Sequence, residues 1–129
     1  MSLHLVILAA GQGTRMRSDR AKVLHALAHA PLLHHAMRAG LALAPDSVTV
    51  VTGHGGADVA DAARTLMPEV RIAEQEEQRG TAHAVAQALP GLDGRGGTTL
   101  VLYADTPLLR PETLRAMVDA PQAVSVLAF

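Results

Sequence analysis

Short, mostly apolar runs rich in β-branched residues alternate with helix-like segments along the 129 residues of this chain. Runs of this kind are typical of strands that are covered on both faces. Their alternation with helices predicts a parallel sheet with right-handed crossovers and helices on both sides. We therefore expect a three-layer α/β/α fold of the Rossmann-like class. The five predicted strands are Leu5–Leu8, Ser47–Thr52, Val70–Ala73, Thr99–Tyr103 and Val124–Phe129.

Four helices are predicted between these strands. Pro31 suits a first helical position, where its missing N–H has no partner to lose, and Pro68 stops the second helix. Thr81 is expected to cap the third helix. The predicted helices are Pro31–Leu43, Ala57–Leu66, Ala82–Leu89 and Pro111–Asp119.

Charge and composition exclude several classes of protein. A net charge of −1 leaves no basic excess for a nucleic acid or an anionic membrane. The chain has no cysteine, which excludes disulfides, thiolate metal sites and a cysteine nucleophile. No apolar run reaches the roughly 20 residues of a membrane helix, and Met1–His4 lacks the basic start of a secretory signal. We expect a cytoplasmic protein.

Two further kinds of site find no support. The seven histidines include His25 and His29, four residues apart, but they form no zinc-binding signature. No Gly-x-Ser-x-Gly turn is present, so a serine hydrolase is not indicated.

Three polar segments follow predicted strands at their carboxyl ends. Ligands of open parallel sheets bind at this edge, where the order of the strands reverses. The position of the segments therefore predicts a ligand site formed by all three. They are Gly11–Arg15, Gln75–Thr81 and Tyr103–Thr106.

The first segment is a glycine-rich loop that suits phosphate. Gly11 and Gly13 allow a close approach of the backbone, whose amides can form an anion-binding concavity. Arg15 and Lys22 add cationic donors. A plain turn with exposed charges is the alternative. The loop is neither a dinucleotide fingerprint, which needs a third glycine where Met16 stands, nor a P-loop, which needs Gly-Lys-Ser/Thr.

The other two segments offer side chains for a metal ion and a base. Asp105 can hold Mg²⁺, which takes few protein ligands and shares the rest with water and phosphate. Alternatively, Asp105 only opens the turn before Pro107. The amides of Gln75 and Gln78 can read the edge of a base, or they are solvated loop residues.

The stretch Leu8–Met16, followed by Lys22, resembles the signature of the sugar nucleotidyltransferases, within the superfamily of MobA-like NTP transferases. Further stretches resemble one family within it, the N-acetylglucosamine-1-phosphate uridyltransferase domain of bifunctional bacterial enzymes that make UDP-N-acetylglucosamine. The resemblance covers essentially the whole chain. The further stretches are Lys22–His25, Gly53–Gly56, Glu74–Ala84 and Tyr103–Leu108.

This resemblance implies roles for individual residues. Arg15 and Lys22 would bind the phosphates and stabilise charge during transfer, and Asp105 would bind Mg²⁺. The sugar-1-phosphate would attack the α-phosphorus of UTP and release pyrophosphate, as a step in cell-envelope precursor synthesis for peptidoglycan and lipopolysaccharide. The implied nucleotide-binding residues are Leu8, Ala9, Ala10, Gly11 and Gly13 in the loop, Gln75, Gln78, Gly80 and Thr81 on the uracil side, and Tyr103 in the same pocket.

The chain departs from the family pattern at two positions. Ala21 stands where the family usually has proline before the lysine, which leaves φ less restricted there. Ala104 stands where glycine commonly precedes the metal-binding aspartate. Both changes keep the charged residues.

The resemblance also indicates how much of the family's domain this chain covers. It implies that residues 1–129 are the nucleotide-binding half of a nucleotidyltransferase domain, with the sugar-binding residues, a second metal ligand and an acetyltransferase domain absent. Weak nucleotide binding with little or no transfer, and some self-association through an exposed sheet edge, are expected. Three alternatives stay open: a nucleotidyltransferase for glucose-1-phosphate or the molybdenum cofactor, a non-catalytic nucleotide-binding module, and, with least support, a Rossmann dehydrogenase.

Overall fold

A computed structural model describes residues 2–10, 22–24, 26–53, 56–77, 79–88, 97–106 and 109–120, with Lys22 described only in its backbone. The fifth predicted strand, 124–129, lies outside the described residues. The strands are β1 (Leu3–Ala9), β2 (Ala26–Leu27), β3 (Ala30–Pro31), β4 (Ser47–Gly53), β5 (Arg71–Gln75) and β6 (Thr98–Tyr103). The helices are a 3₁₀ turn (Lys22–Leu24), α1 (Leu32–Leu41), α2 (Ala57–Leu66), α3 (Thr81–Ala86) and α4 (Pro111–Asp119).

Four of the strands form one parallel sheet in the order β5-β4-β1-β6. The chain moves outward from β1 through β4 to β5 and then returns to pair β6 with the other side of β1. The strand order therefore reverses between β1 and β6, which is where parallel sheets open a crevice for ligands. The remaining two strands, β2 and β3, pair as a small antiparallel hairpin.

Strand β1 is buried on both faces because its side chains alternate between two apolar cores. Leu5 and Ile7 face the first core, which α1, α2 and α4 cover. Val6 and Leu8 face the second core, which α3 covers with Ala84. This arrangement confirms the predicted three-layer α/β fold. It also explains why the sequence of β1 is an unbroken apolar run rather than an alternating one.

The structure differs from the sequence prediction at the ends of several elements. Strand β5 ends at Gln75, two residues beyond the predicted end, because Gly53 and Gln75 still pair across β4 and β5. Gly80, and not Thr81, precedes the third helix; Thr81 is its first residue, and no side-chain hydrogen bond caps it. Helix α1 runs from Leu32 to Leu41 and not from Pro31 to Leu43, because Pro31 still pairs with Ala26 in the hairpin of β2 and β3, which the sequence did not predict. Helix α3 ends at Ala86, earlier than predicted.

In the part of the chain that the structure describes, no helix has the length and apolar character required to cross a membrane.

Candidate functional site

The carboxyl ends of the parallel strands meet at one edge of the sheet. Pairing of Leu8 with Tyr103 and of Gly53 with Gln75 places the ends of β1, β6, β4 and β5 side by side. Backbones come close here: a Cβ on Gly53 would lie 3.2 Å from the carbonyl oxygen of Ala10. The described residues of the second and third polar segments therefore lie at this edge, whereas the first segment, Gly11–Arg15, lies outside the described residues.

A backbone hydrogen bond joins the chain just beyond β6 to the end of β1. The N–H of Ala104 donates to the carbonyl oxygen of Leu8 over 3.0 Å, which extends the sheet past the end of β6. Leu8 is buried, and its carbonyl oxygen accepts this bond. Ala9 and Ala10 follow it at the rim. Ala104 is fully buried in the first core, which accommodates the methyl group that a glycine would lack.

A tight turn after β6 sets the position of Asp105. The Thr106 N–H and Oγ1 both donate to the carbonyl oxygen of Tyr103, over 3.3 and 2.9 Å. Asp105 lies in this turn and is exposed at the carboxyl edge of the sheet. Its carboxylate oxygens are the hard ligands that Mg²⁺ prefers. Among the described residues, no three histidine or acidic side chains are grouped to hold a metal ion.

Tyr103 and Thr81 connect the end of β6 to the start of α3. Their hydroxyl oxygens lie 3.2 Å apart, within hydrogen-bonding distance. Tyr103 is half exposed. Gly80, just before Thr81, has φ 89° and ψ 178°, a region that is essentially restricted to glycine. The space where a side chain of Gly80 would lie is open, which leaves room beside Tyr103 and Thr81.

Gln75 is a buried polar residue of this edge, with 3% of its surface exposed. Its Nε2 donates to the carbonyl oxygen of Gly80 over 3.3 Å and lies 2.8 Å from Nδ1 of His83. These contacts exclude the alternative that Gln75 is a solvated loop residue. They also tie the end of β5 to the first turn of α3, so that Gln75, Gly80 and Thr81 form one local group.

His83 is a residue of this site to which sequence reasoning assigned no role. It is half-buried, and its ring lies between the amides of Gln75 and Gln87. The spacing of eight residues between Gln75 and His83 carries no pattern, because the two belong to a strand and a helix. On the outer side of His83 is a shallow cavity of about 320 Å³ with an acidic rim. It is lined by Glu74, Glu76, Glu77, Arg79, His83 and Gln87.

Several predicted site residues stay predictions. The Lys22 side chain and the residues Gly11, Gly13, Arg15 and Gln78 lie outside the described residues. The backbone of Lys22 belongs to the 3₁₀ turn, which packs against α1 and α2.

Comparisons with known proteins agree with this architecture. The family model described as the MobA-like NTP transferase domain matches residues 5–129. The bifunctional protein GlmU of Cereibacter sphaeroides is 55% identical over 99% of this chain, and that of Dinoroseobacter shibae is 56% identical over 95%. The chain spans only 29% and 27% of the length of these two relatives.

The fold is shared with solved nucleotidyltransferases. The inositol-1-phosphate CTP transferase from T. maritima superimposes with a TM-score of 0.78, covering 92% of this chain and 49% of that one. The two sequences are 18% identical, so this likeness concerns the fold alone.

Proposed function

This chain belongs to the MobA-like NTP transferase domain family, and we propose that it supplies the nucleotide-binding part of a uridyltransferase. The proposed reaction joins UTP and N-acetylglucosamine-1-phosphate to give UDP-N-acetylglucosamine and pyrophosphate, for cell-envelope precursors. The observation that carries this proposal is the group formed by Gln75, Gly80, Thr81 and Tyr103 at the carboxyl edge of the sheet. Similarity to GlmU relatives over nearly the whole chain supports it.

The base would lie beside α3. Gln75 offers a buried amide, Gly80 leaves open space, and Tyr103 offers a half-exposed ring on which a base can stack. In this proposal Gln78 belongs to the same group. Because the polar atoms come from a strand and the first turn of a helix that are bonded to each other, the base-binding group is held rigidly before the nucleotide arrives.

The phosphates would lie at the rim of β1. Ala9 ends the strand and Ala10 follows it, and Gly11 and Gly13 are proposed to continue the binding surface with backbone amides. Arg15 and Lys22 are proposed to contact the phosphate oxygens with charged donors. Such contacts are stronger than neutral hydrogen bonds and stabilise the charge that grows during transfer.

Asp105 is the proposed ligand of Mg²⁺. When bound, the ion would neutralise part of the phosphate charge and help to orient the triphosphate. The carboxylate lies at the end of β6, next to the crevice that opens on β1, so one residue could hold the ion between the base group and the phosphate loop.

The chemistry needs no covalent intermediate on the protein. A phosphate oxygen of the sugar-1-phosphate forms a bond to the α-phosphorus of UTP, and the bond from that phosphorus to the pyrophosphate leaving group breaks. The work of the protein is to align the two phosphates and to stabilise the negative charge of the transition state. Both proposed substrates are small molecules available in the cytoplasm, which is the proposed location.

Binding of nucleoside triphosphates tests the proposal directly. We expect calorimetric titration of the chain with UTP, CTP, ATP and GTP in Mg²⁺ to show the highest affinity for UTP. Equal affinities, or a preference for another base, would contradict the uridyltransferase assignment and favour a different nucleotidyltransferase. Absence of binding to all four would contradict the proposal that this chain forms the nucleotide site.

The metal role of Asp105 has a separate test. In the Asp105→Asn variant we expect Mg²⁺ to lose most of its effect on UTP affinity, because the amide removes the negative charge that holds the ion. The measurement is UTP titration with and without Mg²⁺. The matched control is Asp119→Asn, which removes an exposed carboxylate at the end of α4. An unchanged response to Mg²⁺ in Asp105→Asn would exclude Asp105 as a ligand.

A further inference from the structure

His83 determines which atoms of the Gln75 side chain a nucleotide can meet. A glutamine amide that is free to turn over presents either an N–H donor or an oxygen acceptor, so by itself it selects no base. In this structure the amide is not free. Its Nε2 lies 2.8 Å from Nδ1 of His83 and 3.3 Å from the carbonyl oxygen of Gly80. Both N–H groups of the amide therefore have acceptors within the protein.

The contact at His83 also fixes the position of the proton on the imidazole ring. A neutral imidazole has one nitrogen that accepts and one that donates. Gln75 approaches Nδ1 at 2.8 Å with a donor, whereas Gln87 Nε2 lies 3.3 Å from the ring Nε2 and donates over 3.1 Å to the carbonyl oxygen of His83. The shorter contact, made by the buried partner, assigns the acceptor to Nδ1. The ring proton is then on Nε2.

With both N–H groups of Gln75 engaged, its Oε1 is the atom left to a ligand. This oxygen can only accept a hydrogen bond. Uracil carries an N–H at ring position 3, whereas cytosine carries a lone pair at the same position. An acceptor that faces ring position 3 would bond to uracil and would meet a second acceptor in cytosine, and the proposal places Oε1 at that position.

We propose that His83 is a positioning residue that locks the Gln75 amide with Oε1 toward the base and thereby selects UTP over CTP. This inference deepens the proposed function and rests on it. The locked amide is 3% exposed, so an unmatched acceptor cannot be compensated by water. The carbonyl oxygen of Gly80 alone would hold the amide less firmly. It lies 3.3 Å from Nε2, whereas Nδ1 of His83 lies 2.8 Å from it.

The test compares UTP and CTP affinities of the full chain in Mg²⁺ for three variants. His83→Ala removes the acceptor, and we expect the ratio of UTP to CTP affinity to fall by about tenfold. His83→Asn can place a side-chain oxygen close to the position of Nδ1, and we expect it to restore most of the ratio. Gln87→Ala removes the other amide that contacts the ring and should leave the ratio unchanged.

The outcomes separate this inference from the proposed function. If the unsubstituted chain binds UTP no better than CTP, the uracil-binding function itself is wrong. If it prefers UTP and His83→Ala keeps the full preference, only the role of His83 is wrong. A loss in His83→Asn equal to that in His83→Ala would show that packing, and not the acceptor, is what matters.

The tautomer of His83 can also be measured without nucleotide and without any substitution, so this test does not depend on the stability of a variant. Nitrogen-15 NMR of the neutral His83 ring distinguishes the two tautomers. We expect the proton on Nε2, with Nδ1 as the acceptor. A proton on Nδ1 would mean that Gln75 presents its oxygen to the ring and not to the base, and would overturn the inference.

Discussion

Replacing Arg15 or Lys22 with alanine is expected to weaken UTP binding by about ten- to hundredfold, since each variant loses charged hydrogen bonds to phosphate. Binding of uridine, which has no phosphate, should change little in either variant. Calorimetric titration with both ligands provides the measurement. This difference between ligands is the largest effect that we predict for nucleotide recognition.

The matched control for these variants is Arg64→Ala. Arg64 is an exposed residue in the last turn of α2, and its closest described ion pair, to Asp61, is long at 3.7 Å. Helix α2 starts at the carboxyl edge of the sheet, so its last turn is far from the proposed phosphate site. The control removes the same charge and should leave both affinities unchanged. Equal losses for UTP and uridine in Arg15→Ala or Lys22→Ala would show that the residue does not contact phosphate.

Replacing Gly97 with alanine is expected to destabilise the fold by about 4 kcal/mol. Gly97 has φ +114°, and a Cβ there would overlap the backbone carbonyl oxygen of Ser2, which accepts a hydrogen bond from Thr98 at the start of β6. Backbone strain contributes about 1–3 kcal/mol and the displacement of packed backbone a similar amount. Urea denaturation followed by circular dichroism measures the loss.

Gly80→Ala separates the two contributions in Gly97→Ala. Gly80 also has a positive φ, of +89°, but nothing lies within 4 Å of the position of its Cβ. This variant should therefore lose only the strain contribution, about 1–2 kcal/mol. If both variants lost the same stability, the overlap with Ser2 would contribute nothing, and our account of how β6 is held against the segment before β1 would be wrong.

The fold class could be predicted from the sequence because the apolar runs and the alternation of strands and helices are local features of the chain. An unbroken apolar run such as Leu5–Leu8 is stable only when it is covered on both faces, and strand-helix alternation then leaves little choice but a parallel sheet. The same reasoning placed Asp105 and Tyr103 at the carboxyl edge before their neighbours were known. Pro68 and Pro111 marked helix boundaries correctly, and helices α2 and α4 have the predicted bounds, whereas Pro31 lies in β3 and precedes α1 instead of starting it.

The site was predicted as a set of segments, but its internal contacts were not. Gln75 was assigned to a polar segment, whereas pairing with Gly53 continues the strand through it and buries its side chain. The sequence also did not show whether alanine is accommodated at position 104, because only the packing of the structure places its methyl group in the first core.

The sequence by itself determined the layered α/β architecture and placed Tyr103 and Asp105 at the carboxyl edge of the sheet. Periodicity and the alternation of strands and helices follow from interactions between near neighbours in the chain, which a sequence displays. The strand order β5-β4-β1-β6 depends on long-range pairing and came only from the tertiary structure. Only the tertiary structure decided that His83 meets Gln75 and that Thr81 meets Tyr103. Each of these contacts joins side chains of two different elements, and its existence depends on distances of a few ångströms that are set when α3 packs onto the sheet.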